Sequence, residues 1–237
     1  MSVIGKPVSK TAMNPSASSG LDGEIAPGAV GPARSFPHSC NEPPLSARLH
    51  LKRATDAAHR RLDGGLSRFE LSDSDGYRRF LLVHAMALPP MERALAAGGF
   101  DRQCAGWTSG QRRRALRDDL AGLGMERVPY DAVPAVRGAT AWGVAYVLEG
   151  SRLGGKLLAR RVAAGGNPRA IGNARFLNSP ATVAWPRFVE RMEGALSSRD
   201  DLTAALAGAS MAFATFNAAF EYVAGAENED TGGDHER

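Results

Sequence analysis

Apolar residues recur every three to four positions along most of this chain, a spacing that predicts α-helices. No segment alternates apolar and polar residues in the way a half-buried strand would, so we predict an all-α fold of one domain. The pattern predicts seven helical segments, over 51–62, 73–88, 91–97, 109–122, 139–164, 181–197 and 200–224.

Helix-breaking and capping residues set the expected ends of these segments. Asp73 offers N-cap chemistry to the second helix. Gly64-Gly65 is expected to end the first helix, and Pro89-Pro90 to interrupt the second. The long helix over 139–164 is expected to bend at its interior glycines and to stop at 165–168.

The helical pattern is continuous over 45–225, which predicts a single domain of that extent. Residues 1–44 are rich in Ser, Gly, Pro and Ala and carry no sustained apolar period. Residues 226–237 have a similar character. A segment of such composition buries too little apolar surface to order itself, so we expect both to be disordered tails.

The segment Tyr146–Leu158 carries three interior glycines, Gly150, Gly154 and Gly155. Each interior glycine costs a helix about 1 kcal/mol relative to alanine, which suggests that something approaches the backbone closely here. Gly150 and Gly154 lie on one face, about 6 Å apart along the axis. Either a flat ligand or a second helix fits such a bare strip.

His59 borders the apolar stripe of the first helix, which is formed by Leu51, Thr55, Ala58 and Leu62. Lys52 precedes it by seven residues and shares its azimuth, about 10 Å away along the axis. Neutral imidazole is a common haem-iron ligand, and haem propionates need nearby cations such as Lys52 and Arg53. The alternative is that His59 is a packing residue, as lone helix histidines more often are.

Three sequence runs together resemble the haem oxygenase family, most closely the bacterial branch found beside bacteriophytochromes. They are Leu-Lys-Arg-x-Thr-x-x-x-His at 51–59, Tyr-Val-Leu-Glu-Gly-Ser-x-Leu-Gly-Gly at 146–155, and Phe213-x-x-Phe216-x-x-x-Phe220. The resemblance covers about 45–225, and the glycine-rich run is its most specific part. It implies an all-α haem-oxygenase-like fold that holds haem between a proximal and a glycine-rich distal helix.

The resemblance also implies roles for individual residues. His59 would be the proximal iron ligand, and Gly150, Ser151 and Gly154 would form the catalytic distal wall. The animal branch has an aspartate at the place of Ser151, so the proton-delivery network here is expected to differ. The residues expected to contact haem are Lys52, Arg53, Thr55, Gly150, Gly154, Gly155 and Phe213.

Haem would be both cofactor and substrate, and dioxygen would convert it to biliverdin, carbon monoxide and iron. No flavin or nicotinamide fingerprint is visible, so electrons are expected from a partner such as a ferredoxin or reductase. A bacteriophytochrome is a possible acceptor of the bilin. The rival hypothesis is a protein that stores, transfers or senses haem without turning it over.

Composition points to a cytoplasmic protein without nucleic-acid or membrane partners. We find no apolar run of 18 residues and no secretory signal. The net charge is only +4, and the basic clusters lack interleaved aromatics. Among them, Arg112–Arg114 is expected to be a solvated helix face, with an acidic redox partner as the alternative. Cys40 and Cys104 support neither a disulfide framework nor a zinc site.

Other candidate chemistry is weaker. His84 lies on an apolar helix face without a cation at helical spacing, so we interpret it as a packing or outer-sphere residue. A di-iron site would need Glu-x-x-His pairs on facing helices, and neither His59 nor His84 has a glutamate three residues before it. The aromatic stripe of Phe213, Phe216 and Phe220 favours a core role, with one of them reaching the haem edge if the resemblance holds.

Overall fold

The computed structural model describes residues 46–125 and 128–230, and the side chains of this part as far as residue 225. These residues form helices and no strands, which confirms the predicted all-α fold. The helices are α1 (Ala47–Leu66), α2 (Ser74–Ala97), α3 (Phe100–Gln103), α4 (Gln111–Gly122), α5 (Gly138–Gly150), α6 (Gly155–Ala164), α7 (Pro168–Ile171), α8 (Trp185–Ala195) and α9 (Arg199–Asp230).

Helix α9 is the centre of the fold and packs against α1, α2 and α5. Its closest partner is α5, and a glycine on each helix allows the approach. A Cβ on Gly143 would overlap the carbonyl oxygen of Ala205, and a Cβ on Gly208 would overlap that of Thr140. The two backbones therefore meet directly, which accounts for two glycines in helices that would otherwise favour alanine.

Helix α1 does not end at Gly64-Gly65, contrary to the sequence prediction, but continues to Leu66. Gly65 is needed for packing, because a Cβ there would come within 2.9 Å of the Phe220 ring. At its other end α1 begins at Ala47, earlier than predicted. Gly65 therefore makes room for Phe220 of α9 inside the helix, whereas a Cβ on Gly64 would meet nothing within 4 Å.

The prediction that Pro89-Pro90 interrupts α2 is also wrong, since the helix runs through both residues. A proline inside a helix costs about 3 kcal/mol. Leu88, Met91 and Leu95 flank the pair and are fully buried, and burying such a side chain contributes roughly 1.5–3 kcal/mol. Burial on both sides of the prolines therefore outweighs their cost. The predicted N-cap at Asp73 is confirmed, since its carboxylate accepts from the amides of Asp75 and Gly76.

The predicted helix over 139–164 is divided into α5 and α6 by residues 151–154, which we call the glycine turn. The turn is tightened by bonds from residue i to i−3, namely Arg152 N to Glu149 O, Leu153 N to Gly150 O and Gly155 N to Arg152 O. Such tight stretches inside helical segments often mark functional sites. The predicted bend is thus a break of four residues.

The end of the last helix also differs from the prediction. Helix α9 extends to Asp230, so residues 226–230 of the expected C-terminal tail are helical. The rest of that tail and residues 1–44 lie outside the described residues. By length and composition alone, Arg199–Gly225 could cross a membrane, since an 18-residue window within it has a mean hydropathy of 1.3. The core helix of a soluble protein passes the same test, and α9 packs against α1, α2 and α5.

Candidate functional site

His59 is exposed on α1, with 60% of its side chain open to solvent. Its Nδ1 lies 2.9 Å from Oδ2 of Asp63, one helical turn further along. One edge of its ring faces Phe213 of α9, with the two ring centroids 5.8 Å apart. His59 is therefore not a buried packing residue, although one side of it rests on the core.

The Asp63 carboxylate decides which nitrogen of His59 is available. A negative charge beside Nδ1 favours the proton on that atom and leaves the Nε2 lone pair free. Histidines that bind metals commonly have such a carboxylate at the other ring nitrogen. Sequence reasoning missed Asp63, although the signal was present as a histidine and an aspartate four residues apart on one helix.

Other residues of α1 that were expected to contact haem have different surroundings. Lys52 and Arg53 are exposed, as a cation that reaches a carboxylate ligand should be. Thr55 is buried, and its hydroxyl donates to the carbonyl of Leu51 at 2.7 Å. Its hydrogen is thus already used within the helix.

The glycines of the distal run have three different surroundings. A Cβ on Gly150 would meet Trp185 of α8 at 3.6 Å, an ordinary contact distance. A Cβ on Gly155 would come within 2.6 Å of the Leu177 carbonyl oxygen, so Gly155 is required by packing. Gly154 faces open space. Of the three, only Gly154 leaves bare backbone open to an approaching ligand.

Two large apolar side chains beside Gly154 are exposed. Leu153 is 60% exposed and Leu157 is 55% exposed, and both rank among the most exposed large hydrophobic residues of the described part. They lie four residues apart, on either side of Gly154 in sequence. An apolar pair of this kind next to bare backbone suits a flat apolar ligand better than it suits water.

Ser151 is hydrogen-bonded to Arg112 of α4. Nη1 of Arg112 donates to the Ser151 hydroxyl oxygen at 2.8 Å and to the Leu148 carbonyl at 2.9 Å. The expectation that Arg112–Arg114 is a solvated helix face is therefore wrong at Arg112, which is 5% exposed. Its guanidinium also stacks over the Phe176 ring, 4.6 Å from the centroid. Helical spacing places Arg114 away from the side of Leu116 and Leu120, but it does not separate Arg112 from Arg113, which is half-buried and paired with Glu92.

A small pocket lies beneath the glycine turn, and His84 is part of its wall. Nδ1 of His84 donates to the Phe80 carbonyl at 2.8 Å. Burial lowers the pKa of His84 to about 4, so its ring is neutral near pH 7. The pocket is lined by Phe80, His84, Arg112, Ser151, Arg152, Gly155, Leu158, Phe176, Leu177 and Ser179. His84 is a buried residue, as expected, and it lies at the site.

Helix α9 connects the His59 side of the site with the glycine turn. Phe213 contacts His59, and Phe216, less than one turn further along, lies 5.5 Å from His84 between ring centroids. His84 in turn shares the pocket with Ser151. Phe213 and Phe216 are both buried, as the core interpretation of the aromatic stripe predicts. One segment of α9 thus contacts the helix of His59 and the wall of the pocket under the glycine turn.

These residues fit haem better than they fit a bare metal ion. The four ring nitrogens of haem already bind its iron, so one imidazole with a free Nε2 completes the protein's share of the ligands. Exposed Lys52 and Arg53 suit propionates, and Gly154 with its two leucines suits an apolar ring.

Comparison with known proteins identifies the family. No family model matches the chain. The chain is 36% identical to a haem oxygenase of Xanthomonas campestris pv. campestris (strain 8004) over 153 residues, which cover 61% of this chain and 88% of that protein. Its fold matches that of the NO- and CO-bound haem oxygenase of Neisseria meningitidis with a TM-score of 0.66 and 23% identity, over 76% of this chain and 93% of the other. Identity at this level over most of a relative's length shows that the chain belongs to the haem oxygenase family.

Proposed function

We infer that this protein is a haem oxygenase that degrades haem with dioxygen and external electrons to biliverdin, carbon monoxide and iron. The observation that carries the inference is His59, an exposed imidazole on α1 whose Nδ1 lies beside Asp63 and whose Nε2 is free. Kinship with a haem oxygenase supports the same role for this histidine.

His59 is the proposed proximal ligand of the iron. The Asp63 carboxylate keeps the Nδ1 proton in place and so presents Nε2 as the ligand atom. Contact with Phe213 limits rotation of the ring. Coordination by neutral imidazole avoids the strong electron donation of a thiolate ligand, which favours cleavage of the O–O bond.

The cations of α1 are the proposed propionate partners. Lys52 lies on the same side of α1 as His59, about 10 Å away along the axis, which matches the span from iron to the ring's polar edge. Arg53 is exposed beside it. We assign Thr55 a supporting role in the helix, because its hydroxyl is bonded to Leu51.

The glycine turn and its flanks are the proposed distal wall. Gly154 leaves its backbone open to the ring, while Leu153 and Leu157 cover apolar surface and exclude water. Gly150 and Gly155 support this wall by packing: Gly150 lies against Trp185, and Gly155 lets Leu177 approach closely. We propose Phe213 as the contact to the ring on the α9 side.

Haem itself supplies the iron that binds dioxygen and the ring carbon that is oxidised. The chain supplies orientation and proton control on the side of the glycine turn. Ser151 donates its hydroxyl hydrogen to the Leu148 carbonyl at 2.8 Å. That hydrogen is therefore engaged in this arrangement, and Ser151 would have to release it before acting as a donor to dioxygen.

Electrons must come from a separate protein, for which a ferredoxin or a reductase is our proposal. A dinucleotide fingerprint requires a strand before its glycines, whereas Gly150 ends α5, Gly154 lies in the glycine turn and Gly155 begins α6. We further propose cytoplasmic localisation and, as one possible acceptor of the bilin, a bacteriophytochrome. The resemblance to the bacterial branch motivates that last partner.

Reconstitution tests the function directly. The protein is mixed with one equivalent of haem, then given air and a reductant such as ascorbate or a ferredoxin system. A haem oxygenase bleaches the Soret band while a bilin absorbance grows in the red, and carbon monoxide is released. A bound haem whose Soret band stays unchanged would instead show a protein that holds haem without turnover.

A further inference from the structure

Two arginine side chains tie the glycine turn to the body of the protein: Arg112 of α4, and Arg152 of the turn itself, which donates to the Pro180 carbonyl at 3.2 Å. Arg112 reaches from α4 and donates through one nitrogen to both the Leu148 carbonyl and the Ser151 hydroxyl. Leu148 lies in the last turn of α5, and Ser151 is the first residue of the glycine turn. A single guanidinium therefore spans the junction at which the helix stops.

The Ser151 hydroxyl completes a closed set of bonds with Arg112. It accepts from Arg112 and donates to the Leu148 carbonyl, so that three groups are mutually bonded at 2.8–2.9 Å. In this set Ser151 relies on the guanidinium for its orientation. The Leu148 carbonyl, by contrast, keeps the bond from Arg112 even if the hydroxyl is removed.

The charge of Arg112 has no direct counter-ion among the described residues. Glu149 is in contact with Arg152 and Trp107, and Glu92 is in contact with Arg113 and the Gly110 amide. Burial lowers the pKa of Arg112 to about 9, so the group stays charged at neutral pH. Burying an arginine without a directly paired carboxylate is costly, and such sites are enriched in functional residues.

We propose that Arg112 is a positioning residue. It holds the glycine turn in the conformation that faces the haem. The proposal rests on the proposed function and concerns a residue that does not itself touch the reacting atoms. Ser151 then serves chiefly as a partner of Arg112. Without the two hydrogen bonds from Arg112, the glycine turn opens. The bound haem ring and dioxygen can then adopt more than one orientation.

The decisive experiment compares Arg112→Met with Arg114→Met, an exposed neighbour on the same helix. Methionine keeps much of the length and burial of arginine but removes every donor. Hydrogen exchange is followed by mass spectrometry on peptides that cover 149–158 in the protein without haem. We expect exchange of this segment to speed up at least about tenfold in Arg112→Met and to stay as in the wild type in Arg114→Met.

The second measurement is the product of haem oxidation. In Arg112→Met we expect a mixture of bilin isomers and a lower kcat, with the spectrum of His59 ligation retained. Arg112→Lys restores the charge and one donor, so it should recover part of the exchange protection and of the isomer purity. Ser151→Ala should perturb both less than Arg112→Met, because the bond from Arg112 to the Leu148 carbonyl remains.

Several results would overturn the proposal. Unchanged exchange over 149–158 and an unchanged single isomer in Arg112→Met would show that the arginine does not position the turn. A larger loss in Ser151→Ala than in Arg112→Met would assign the role to the hydroxyl. If Arg112→Met does not fold, the ranking of Arg112→Lys against Ser151→Ala in the same exchange measurement decides. If the wild type fails to oxidise haem, the proposed function is wrong. The hydrogen-exchange result still tests whether Arg112 positions the glycine turn.

Discussion

His59 stands 60% exposed on α1 with its partner Asp63 one turn away on the same helix, whereas Arg112 is buried and its partners come from a different helix and a turn. The first arrangement depends on one helix and one contact from α9. The second depends on α4, α5 and the packing of Phe176. The ligand side of this site is thus assembled locally, and the side of the glycine turn is assembled by the tertiary fold.

This difference predicts how each side tolerates change. An exposed residue on a well-formed helix can be replaced with little effect on stability, so its substitution reports on chemistry. A buried group that joins several elements affects structure and chemistry together. The variants below test that contrast, from the largest expected effect to the smallest.

His59→Ala should abolish iron ligation and haem oxidation, because it removes the free Nε2 and because His50, the other histidine of α1, lies on the opposite side of the helix. We expect the melting temperature without haem to change by less than about 3 °C, as for an exposed side chain. The spectrum of the haem complex and bilin production measure the loss, with His50→Ala as the matched control on α1. Retention of the neutral-histidine spectrum in His59→Ala would instead assign the ligand role elsewhere, with His84 the first candidate.

Gly154→Leu and Gly150→Leu should separate ligand space from packing space. Position 154 faces open space, so leucine there should leave the haem-free protein as stable as the wild type while it blocks haem binding. Position 150 already has Trp185 at contact distance from a Cβ. A leucine there must displace that ring, which typically costs about 1–3 kcal/mol.

Thermal unfolding without haem and a haem titration measure the two effects of this glycine pair. If Gly154→Leu binds haem normally, Gly154 does not face the ligand. If Gly150→Leu instead loses haem turnover at full stability, the distal contact belongs to Gly150.

The buried imidazole of His84 should make the protein less stable in mild acid. Its folded pKa of about 4 lies below the unfolded value of 6.5, so the unfolded chain binds the proton first and stability falls as the pH drops below 6.5. The loss should reach about 2 kcal/mol at pH 5 and be complete near pH 4. Urea unfolding at pH 7.5 and 5 measures it, and His84→Gln should lack this part of the pH dependence. An equal pH dependence in both proteins would show that His84 is not buried as described.

Glu193→Gln should have the smallest effect and should act on the His59 side. Its carboxylate caps the start of α1, where it accepts from the Ser46 hydroxyl and from the amides of Ala47 and Arg48. Burial alone would raise the pKa of Glu193, but these bonds together lower it.

Loss of the charge at this cap should cost about 1 kcal/mol, or roughly 2–4 °C in melting temperature for a domain of this size. Glu190→Gln on the same helix is the control. Haem affinity should fall only slightly. A large loss of affinity would show that the position of His59 depends on the contact between α1 and α8, and that the ligand side is not assembled by α1 alone.

Local spacing in the sequence was sufficient for the features that one helix determines by itself. The all-α class, the N-cap at Asp73 and the face of α1 that carries Lys52 and His59 all follow from contacts within four residues. The site roles predicted for these residues remain predictions, and the kinship supports them.

Only the tertiary structure decided the features that depend on distant residues. Gly65 lies inside α1 because the Phe220 ring needs the space, and α2 continues through Pro89-Pro90 because both flanks are buried. Helical spacing does not separate Arg112 from Arg113, and the partners of Arg112 come from α5 and the glycine turn, more than thirty residues away. Helical periodicity records which face of a helix is apolar, whereas burial of a charged group depends on which elements close over it.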